Sequence, residues 1–146
     1  LRLYIEMESI RFEKQFSYTI EVDDNIQADH LYVPPMIIQP YVENAIWHGL
    51  LHKESSGELT ITVSMQSAGM LLCVIEDNGV GRARAKELRS KSASAKKSLG
   101  MKLTEDRLAL LGKQAQMEAS VEVKDLKTND GCAAGTKVII KIPVDS

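Results

Sequence analysis

Pro34-Pro35-Met36-Ile37-Ile38-Gln39-Pro40-Tyr41-Val42-Glu43-Asn44-Ala45-Ile46-Trp47-His48-Gly49-Leu50 is the stretch whose reading decides the fold. Ile37, Ile38, Tyr41, Val42, Ala45, Ile46 and Gly49 recur at i, i+3, i+4 and i+7, the spacing of one helix face. At about 100° per residue they fill one half of a helical wheel. Such a face must cover a core. Asn44 and His48, one turn apart, fall at the edge of the apolar arc, where a carboxamide is pinned by the core yet can reach a cleft. Pro34-Pro35 forces an extended entry and predicts a helix starting directly after it. Pro40 removes one backbone bond and predicts a kink or restart. Gly49 and the polar run 52–57 end the helix.

Upstream, residues 1–15 read as a helix, with Leu3, Met7, Ile10 and Lys14 recurring at turns and no Gly or Pro. Phe16 to Val22 alternates and is rich in β-formers, so it reads as a strand closed by the turn Asp23-Asp24-Asn25. Downstream, 59–65 and 70–76 read as a hairpin, the second strand nearly all apolar and therefore central. The segment 79–99 carries few large apolar residues. A short helix is predicted over 82–89, and SKSASAKKS (90–98) is a flexible loop by composition, long enough to be a lid. Residues 100–111 return to helix with Gly112 as the stop. A strand over 117–123, a polar loop over 125–135 and a last strand over 136–143 complete the chain. Helices come singly between strand pairs. The expected fold is therefore an α/β (α+β) two-layer sandwich, a mixed sheet with helices on one face.

The 146 residues suit one domain, 1–146, with no internal repeat. A hydrophobic fraction of 44% and a charged fraction of 26% are those of a globular domain. A net charge of −2 gives no bulk attraction to nucleic acid or to an anionic membrane. No run of 18 apolar residues is present. Cys73 and Cys132 form no CxxC pair and are expected as free thiols. The start at Leu1, without Met and inside a helical pattern, leads us to expect a piece of a longer protein.

Four stretches carry chemistry. Asp77-Asn78-Gly79-Val80-Gly81 puts a carboxylate at the end of a buried strand. There it can accept a hydrogen bond from an exocyclic amine such as that of adenine, and it disfavours a base that lacks the donor. Gly79 and Gly81 are expected to turn with positive φ and let the base approach. Ser98-Leu99-Gly100-Met101 stands before a predicted helix, whose first N–H groups form a phosphate seat, with Lys96, Lys97 and Lys102 nearby. Asn44 offers a neutral oxygen to Mg²⁺ on a triphosphate, an ion that keeps several waters and needs few protein ligands. Its neighbour Glu43 points about 100° away and suits a general base. His48 can contact phosphate or cap the helix end. Gly135-Thr136 enters the last strand. Singly, each stretch has a bland reading as a turn, a basic loop, a helix carboxylate or a strand start. The ordered set points to one bound nucleotide. The P-loop, G-x-G-x-x-G, H-E-x-x-H, G-x-S-x-G and protein-kinase patterns are absent.

With these motifs in hand, the chain resembles the catalytic ATP-binding domain of bacterial sensor histidine kinases, in the GHKL superfamily, and most of all the LytS/YehU type. Tyr4, Glu8, Arg11 and Phe12 match the pattern Y-x-x-x-E-x-x-R-F. Val33 to Gly49 match V-P-P-x-x-x-Q-P-x-V-E-N-A-x-x-H-G. Asp77 to Gly81 match D-N-G-x-G, and Gly135 to Pro143 match G-T-x-V-x-I-x-[IL]-P. The resemblance implies the Bergerat fold, with Asn44 as the Mg²⁺ ligand and Asp77 as the adenine reader beside Gly79 and Gly81. It places Gly100 and Met101 in the box after an ATP lid (79–99), and Thr136 near the base. In that lid family Ser98 replaces a glycine, and Trp47 stands where relatives usually carry a Lys facing phosphate.

The resemblance further implies a histidine autokinase whose phosphoacceptor His lies outside these residues, since His30, His48 and His52 do not suit that role. Residues 1–16 would be the linker helix from that segment. The expected cofactors are ATP and Mg²⁺. The expected partners are the phosphoacceptor segment, a response regulator and a second subunit of the full-length protein, in a cytoplasmic domain of an inner-membrane-anchored sensor. The alternatives are a GHKL ATPase of the gyrase or MutL kind, with Glu43 as base, and a pseudokinase interaction module.

Overall fold

The computed structural model of the chain describes residues 1–13, 15–27, 31–88 and 94–144, with the backbone alone for Leu88 and for 94–99. Five strands form one sheet: β1 (Phe16–Val22), β2 (Gly57–Ser67), β3 (Met70–Asp77), β4 (Ser120–Lys127) and β5 (Ala133–Pro143), in the order β1-β2-β3-β5-β4. β1 runs parallel to β2, and the remaining pairs are antiparallel. The parallel pair requires a crossover, and the central helix supplies it. The helices are α1 (Arg2–Arg11), α2 (Gln39–Asn44), α3 (Arg82–Leu88) and α4 (Ser94–Ala115).

One face of the sheet carries the core. Leu59, Ile61, Leu71, Cys73, Ile75, Val138, Ile140 and Ile142 are buried there against Ile5, Ile37, Tyr41, Val42, Ala45, Ile46, Leu50 and Leu108 from the helical side. The alternate residues Glu58, Thr60, Thr62, Glu76, Lys137 and Lys141 mark the opposite face, where Lys137 pairs with Glu76 at 3.3 Å. The mixed sheet with helices on one face is therefore as the sequence implies, and β2 and β3 form the expected hairpin.

Several boundaries differ from the sequence reading, each for a physical reason. α2 begins at Gln39, not directly after Pro34-Pro35, and Pro40 occupies its first turn. The missing N–H there has no intrahelical partner to lose, so Pro40 starts the helix and does not kink it. The irregularity falls later, where Ala45–Gly49 winds as a π-helix and Leu50–His52 as a 3₁₀ turn.

α4 begins at Ser94, six residues ahead of Gly100, so part of the segment read as a flexible loop is helical. Residues 90–93 of that segment, and Arg89 at the end of the predicted 82–89 helix, lie outside the described residues. Nor does Gly112 stop α4. The helix runs to Ala115, with Gln116 at φ 53°, Met117 N–H donating to the Gly112 carbonyl at 3.0 Å and Gln116 N–H to the Lys113 carbonyl at 3.4 Å. That is a Schellman closure with Gln at the left-handed position. It carries Met117 out of the expected strand, so β4 starts at Ser120 and continues to Lys127, and the polar loop shortens to 128–132.

Candidate functional site

The change of winding in α2 decides what its residues face. Asn44 is the last α-helical residue, and Ala45, His48 and Gly49 follow in the wider π turn. Asn44, Ala45, His48 and Gly49 all line one cavity of about 200 Å³. Trp47 is absent from its lining. Its indole packs edge-on to Phe12, with ring centroids 5.1 Å apart at 89°, and the Arg11 guanidinium lies 5.1 Å over the same indole. The Trp47 indole N–H donates to the Tyr4 phenol oxygen, and burial pushes the pKa of that phenol up to about 12. The position at which relatives usually carry a phosphate-facing Lys is thus occupied by a contact between the end of α1 and the π turn after α2. Glu43 also lies off the cavity, and its Oε1 accepts from Gln39 Nε2 at 3.2 Å.

Asp77 ends β3 with 4% of its surface exposed. Its Oδ1 accepts the Gly79 N–H at 2.9 Å. Burial raises its pKa from 3.8 to about 6, against the lowering effect of bonds from the Gly79 and Thr136 backbone amides. The turn after it is packed on the end of α2: Val80 N–H donates to the Gly49 carbonyl at 3.2 Å, and a Cβ on Gly79 would overlap the Gly49 backbone. Gly79 is therefore required for close approach and not for positive φ, whereas Gly81 does turn at φ +83°. The expectation of positive φ holds for Gly81 and is corrected for Gly79.

Asp77 lines the same cavity as Asn44. The remaining walls are Tyr41 from α2, Gly81 from the glycine turn, Arg82 and Ala85 from α3, Met101 from α4, and Val123, Thr136 and Val138 from the sheet. The strand register explains the sheet wall, because Asp77 pairs with Thr136 and Thr136 with Asp125 in one cross-strand row. Six residues singled out in the sequence therefore meet here: Asn44, His48, Asp77, Gly81, Met101 and Thr136. Gly79 supports the site from behind. Gly100 is displaced from the expected role. It sits inside α4, its carbonyl accepts the Thr104 hydroxyl at 3.0 Å, and it does not line the cavity. A helix-interior amide is already committed to the ladder, so no phosphate seat forms there. The Lys97 side chain lies outside the described residues, as does that of Lys96, and Lys102 is exposed off the cavity.

Sequence reasoning missed Arg82, Ala85 and Val123. Arg82 had a usable signal, since it directly follows the glycine turn. Val123 became visible only through the β4–β5 register. Tyr41 belongs to the core, as its place on the apolar arc implies, but its buried hydroxyl, at the cavity wall, has no hydrogen-bond partner among the described residues. That orphaned group and the desolvated Asp77 are polar atoms a ligand can satisfy. Among the described residues no group of three or more His, Cys, Asp or Glu side chains is placed to hold a metal. Asn44, which lines the cavity, is the neutral oxygen that could be offered to a divalent ion there, with the remaining ligands coming from a bound molecule and water.

No family model matches the chain. Curated relatives do, among them the following two. The Bacillus subtilis (strain 168) protein YwpD is 32% identical over 105 residues, 72% of this chain and 37% of YwpD. The sensor histidine kinase/phosphatase LytS of Staphylococcus aureus (strain MRSA252) is 28% identical over 127 residues, 81% of this chain and 21% of LytS. The chain thus spans well under half the length of either. Among solved structures, the histidine kinase domain of the Erythrobacter litoralis EL346 blue-light activated kinase superposes with TM-score 0.62 at 19% identity, covering 97% of this chain and 58% of that one. Full-length ShkA in complex with AMPPNP gives 0.66 at 16% identity, covering 99% and 29%. Histidine kinase ThkA in complex with the response regulator TrrA gives 0.54 at 12% identity, covering 97% and 37%.

The fold is that of histidine kinase catalytic domains. Within that class, the sequence is similar to LytS-type sensor histidine kinases, which supports a HATPase domain of that type. Among the described residues no helix is long and apolar enough to cross a membrane.

Proposed function

We propose that this domain binds Mg-ATP in the cavity between α2 and the ends of β3 and β5. In the longer protein it presents the γ-phosphate to a histidine outside these residues. The observation that carries the reading is that Asn44 and Asp77, from a helix and a strand end, line one cavity.

Asp77 accepts the adenine amine, held in place by the Gly79 and Thr136 amides. Thr136 and Gly81 flank it, and Met101, Ala85, Val123 and Val138 supply apolar wall. Asn44 and His48 serve the phosphate end, where bound Mg²⁺ would neutralise charge. Catalysis is then positioning and charge neutralisation, since phosphoryl transfer asks little covalent chemistry of the protein. AMPPNP in ShkA and the response regulator bound to ThkA support ATP and a response regulator as partners. We further propose, from the family resemblance of the motifs, that the parent is an anchored sensor with this domain on the cytoplasmic side, paired in a homodimer, with 79–99 as the lid and 1–16 as the linker.

The hydrolytic alternative asks Glu43 to activate water. Its carboxylate is engaged by Gln39 and is not part of the cavity wall, so that reading lacks support. The pseudokinase alternative rests on Ser98 and Trp47. The Ser98 side chain lies outside the described residues, and the Phe12–Trp47 contact gives Trp47 a structural use away from the cavity. The test is a thermal-shift series. ATP or ADP with Mg²⁺ raises the melting temperature of the wild type, and Asp77→Asn abolishes the rise. No rise at millimolar nucleotide contradicts the reading.

A further inference from the structure

The glycine turn is closed into a ring by an ion pair that the reading above does not use. It leaves β3 at Asp77 and reaches Arg82 at the first turn of α3. From there Arg82 Nε donates to Asp125 Oδ1 at 2.7 Å and Nη2 to Oδ2 at 2.7 Å. Asp125 pairs with Thr136, and Thr136 pairs with Asp77, so the start and the end of the turn return to one cross-strand row. Arg82 also lines the cavity, while about half of its side chain faces solvent, which puts it at the mouth.

We propose that Arg82, held by Asp125, contacts the base of the bound nucleotide and not its phosphates, and that Asp125 is the residue that positions it. The proposal rests on the nucleotide reading of this cavity. Binding phosphate requires the donor edge of a guanidinium together with its net charge. Here one of its two donor edges, Nε and Nη2, is given to Asp125, and the carboxylate offsets the charge. The bidentate grip also fixes the guanidinium plane, whose weakly hydrated face is the surface that stacks on aromatic rings. The position agrees, because Arg82 stands five residues beyond Asp77, at the adenine end, whereas Asn44 and His48 come from the other wall. A lysine could replace the charge but not the plane.

The experiment is calorimetric titration of the 146-residue chain with ATP and, separately, with adenosine, which has no phosphate. The wild type binds both. Arg82→Ala weakens both by a similar factor, about five- to tenfold, as expected for loss of one stacking contact. Arg82→Lys behaves like Arg82→Ala. Asp125→Asn weakens adenosine binding by releasing the guanidinium. The ligand-free melting temperatures stay near that of the wild type, because an exposed pair adds little to stability.

Loss of ATP affinity with adenosine binding unchanged in Arg82→Ala overturns the proposal, as does unchanged binding of both. ATP binding by a wild type that fails to bind adenosine at any soluble concentration also overturns it. Unchanged adenosine binding in Asp125→Asn removes Asp125 from the role. A wild type that binds neither ligand defeats the nucleotide reading itself, and this inference with it.

Discussion

Gly79 lies flush against the backbone of Gly49: the next amide, Val80 N–H, donates to the Gly49 carbonyl at 3.2 Å, and no Cβ fits between the two chains. This contact ties the turn after Asp77 to the π turn that carries His48. Gly79→Ala must push the two apart, at a cost of about 2 kcal/mol or more in unfolding free energy. Gly100→Ala is the control. A Cβ there meets nothing within 4 Å, and the residue lies inside α4. Removing a helix-interior glycine should stabilise by about 0.5–1 kcal/mol. Urea unfolding of both variants checks the pair of opposite signs.

The raised pKa of Asp77 sets a pH dependence of definite sign. Its folded value, about 6, lies above the unfolded value of 3.8, so the native state holds its proton longer. Stability from this group is therefore full below pH 4 and is lost as pH rises towards 6, by about 2–3 kcal/mol. In Asp77→Asn that decline is gone. The difference in unfolding free energy between variant and wild type should shift in the variant's favour across pH 4 to 6.5, measured by denaturant titration at each pH.

The dock of α1 on α2 gives a third expectation. Trp47 is the only tryptophan in the chain, and it sits between Phe12 and Arg11. Phe12→Ala should lower stability by about 1–3 kcal/mol through the lost ring contact and the space left behind. The emission of Trp47 should shift to the red in the folded variant. Unchanged emission would mean that α1 does not hold the indole in solution.

The two thiols should differ in reactivity. Cys73 is fully buried on β3, and burial pushes its thiol up to about 12, while Cys132 is exposed in the 128–132 loop. A thiol reagent at neutral pH should label one cysteine rapidly in the native chain and two in denaturant. Rapid labelling of both in the native state would contradict the packing of the central strand.

Much of this was readable before any coordinates, because periodicity is a local signal. The alternation of 16–22, 59–65 and 70–76 placed three strands, and the apolar arc from Ile37 to Gly49 placed the helix that covers them. The errors have two causes, a local closure that a single residue type does not announce and a tertiary contact that outvotes a local cue. Gly112 looks like a helix stop, yet the Schellman bonds formed four residues later, at Gln116. The polar run 125–127 looks like a loop, yet it extends an edge strand because β5 offers it a ladder. In the site, Asn44 and Asp77 could be singled out from residue type and position. Trp47 facing α1 could not, since the local winding from Ala45 to Gly49 turns it away, and nothing in AIWHG announces a π-helix. Nor could Arg82 be joined to Asp125, 43 residues later, without the strand register.

The most direct test of the account is calorimetric titration of the wild type, Asn44→Ala and Asp77→Asn with ATP, each with and without Mg²⁺. The account predicts that Mg²⁺ tightens ATP binding to the wild type. Asp77→Asn should weaken binding at least about tenfold in both conditions, the cost of an unmatched buried polar contact. Asn44→Ala should lose the Mg²⁺ enhancement and retain the metal-free affinity. Wild-type affinities in both variants, under both conditions, would contradict the claim that these two side chains hold opposite ends of one nucleotide.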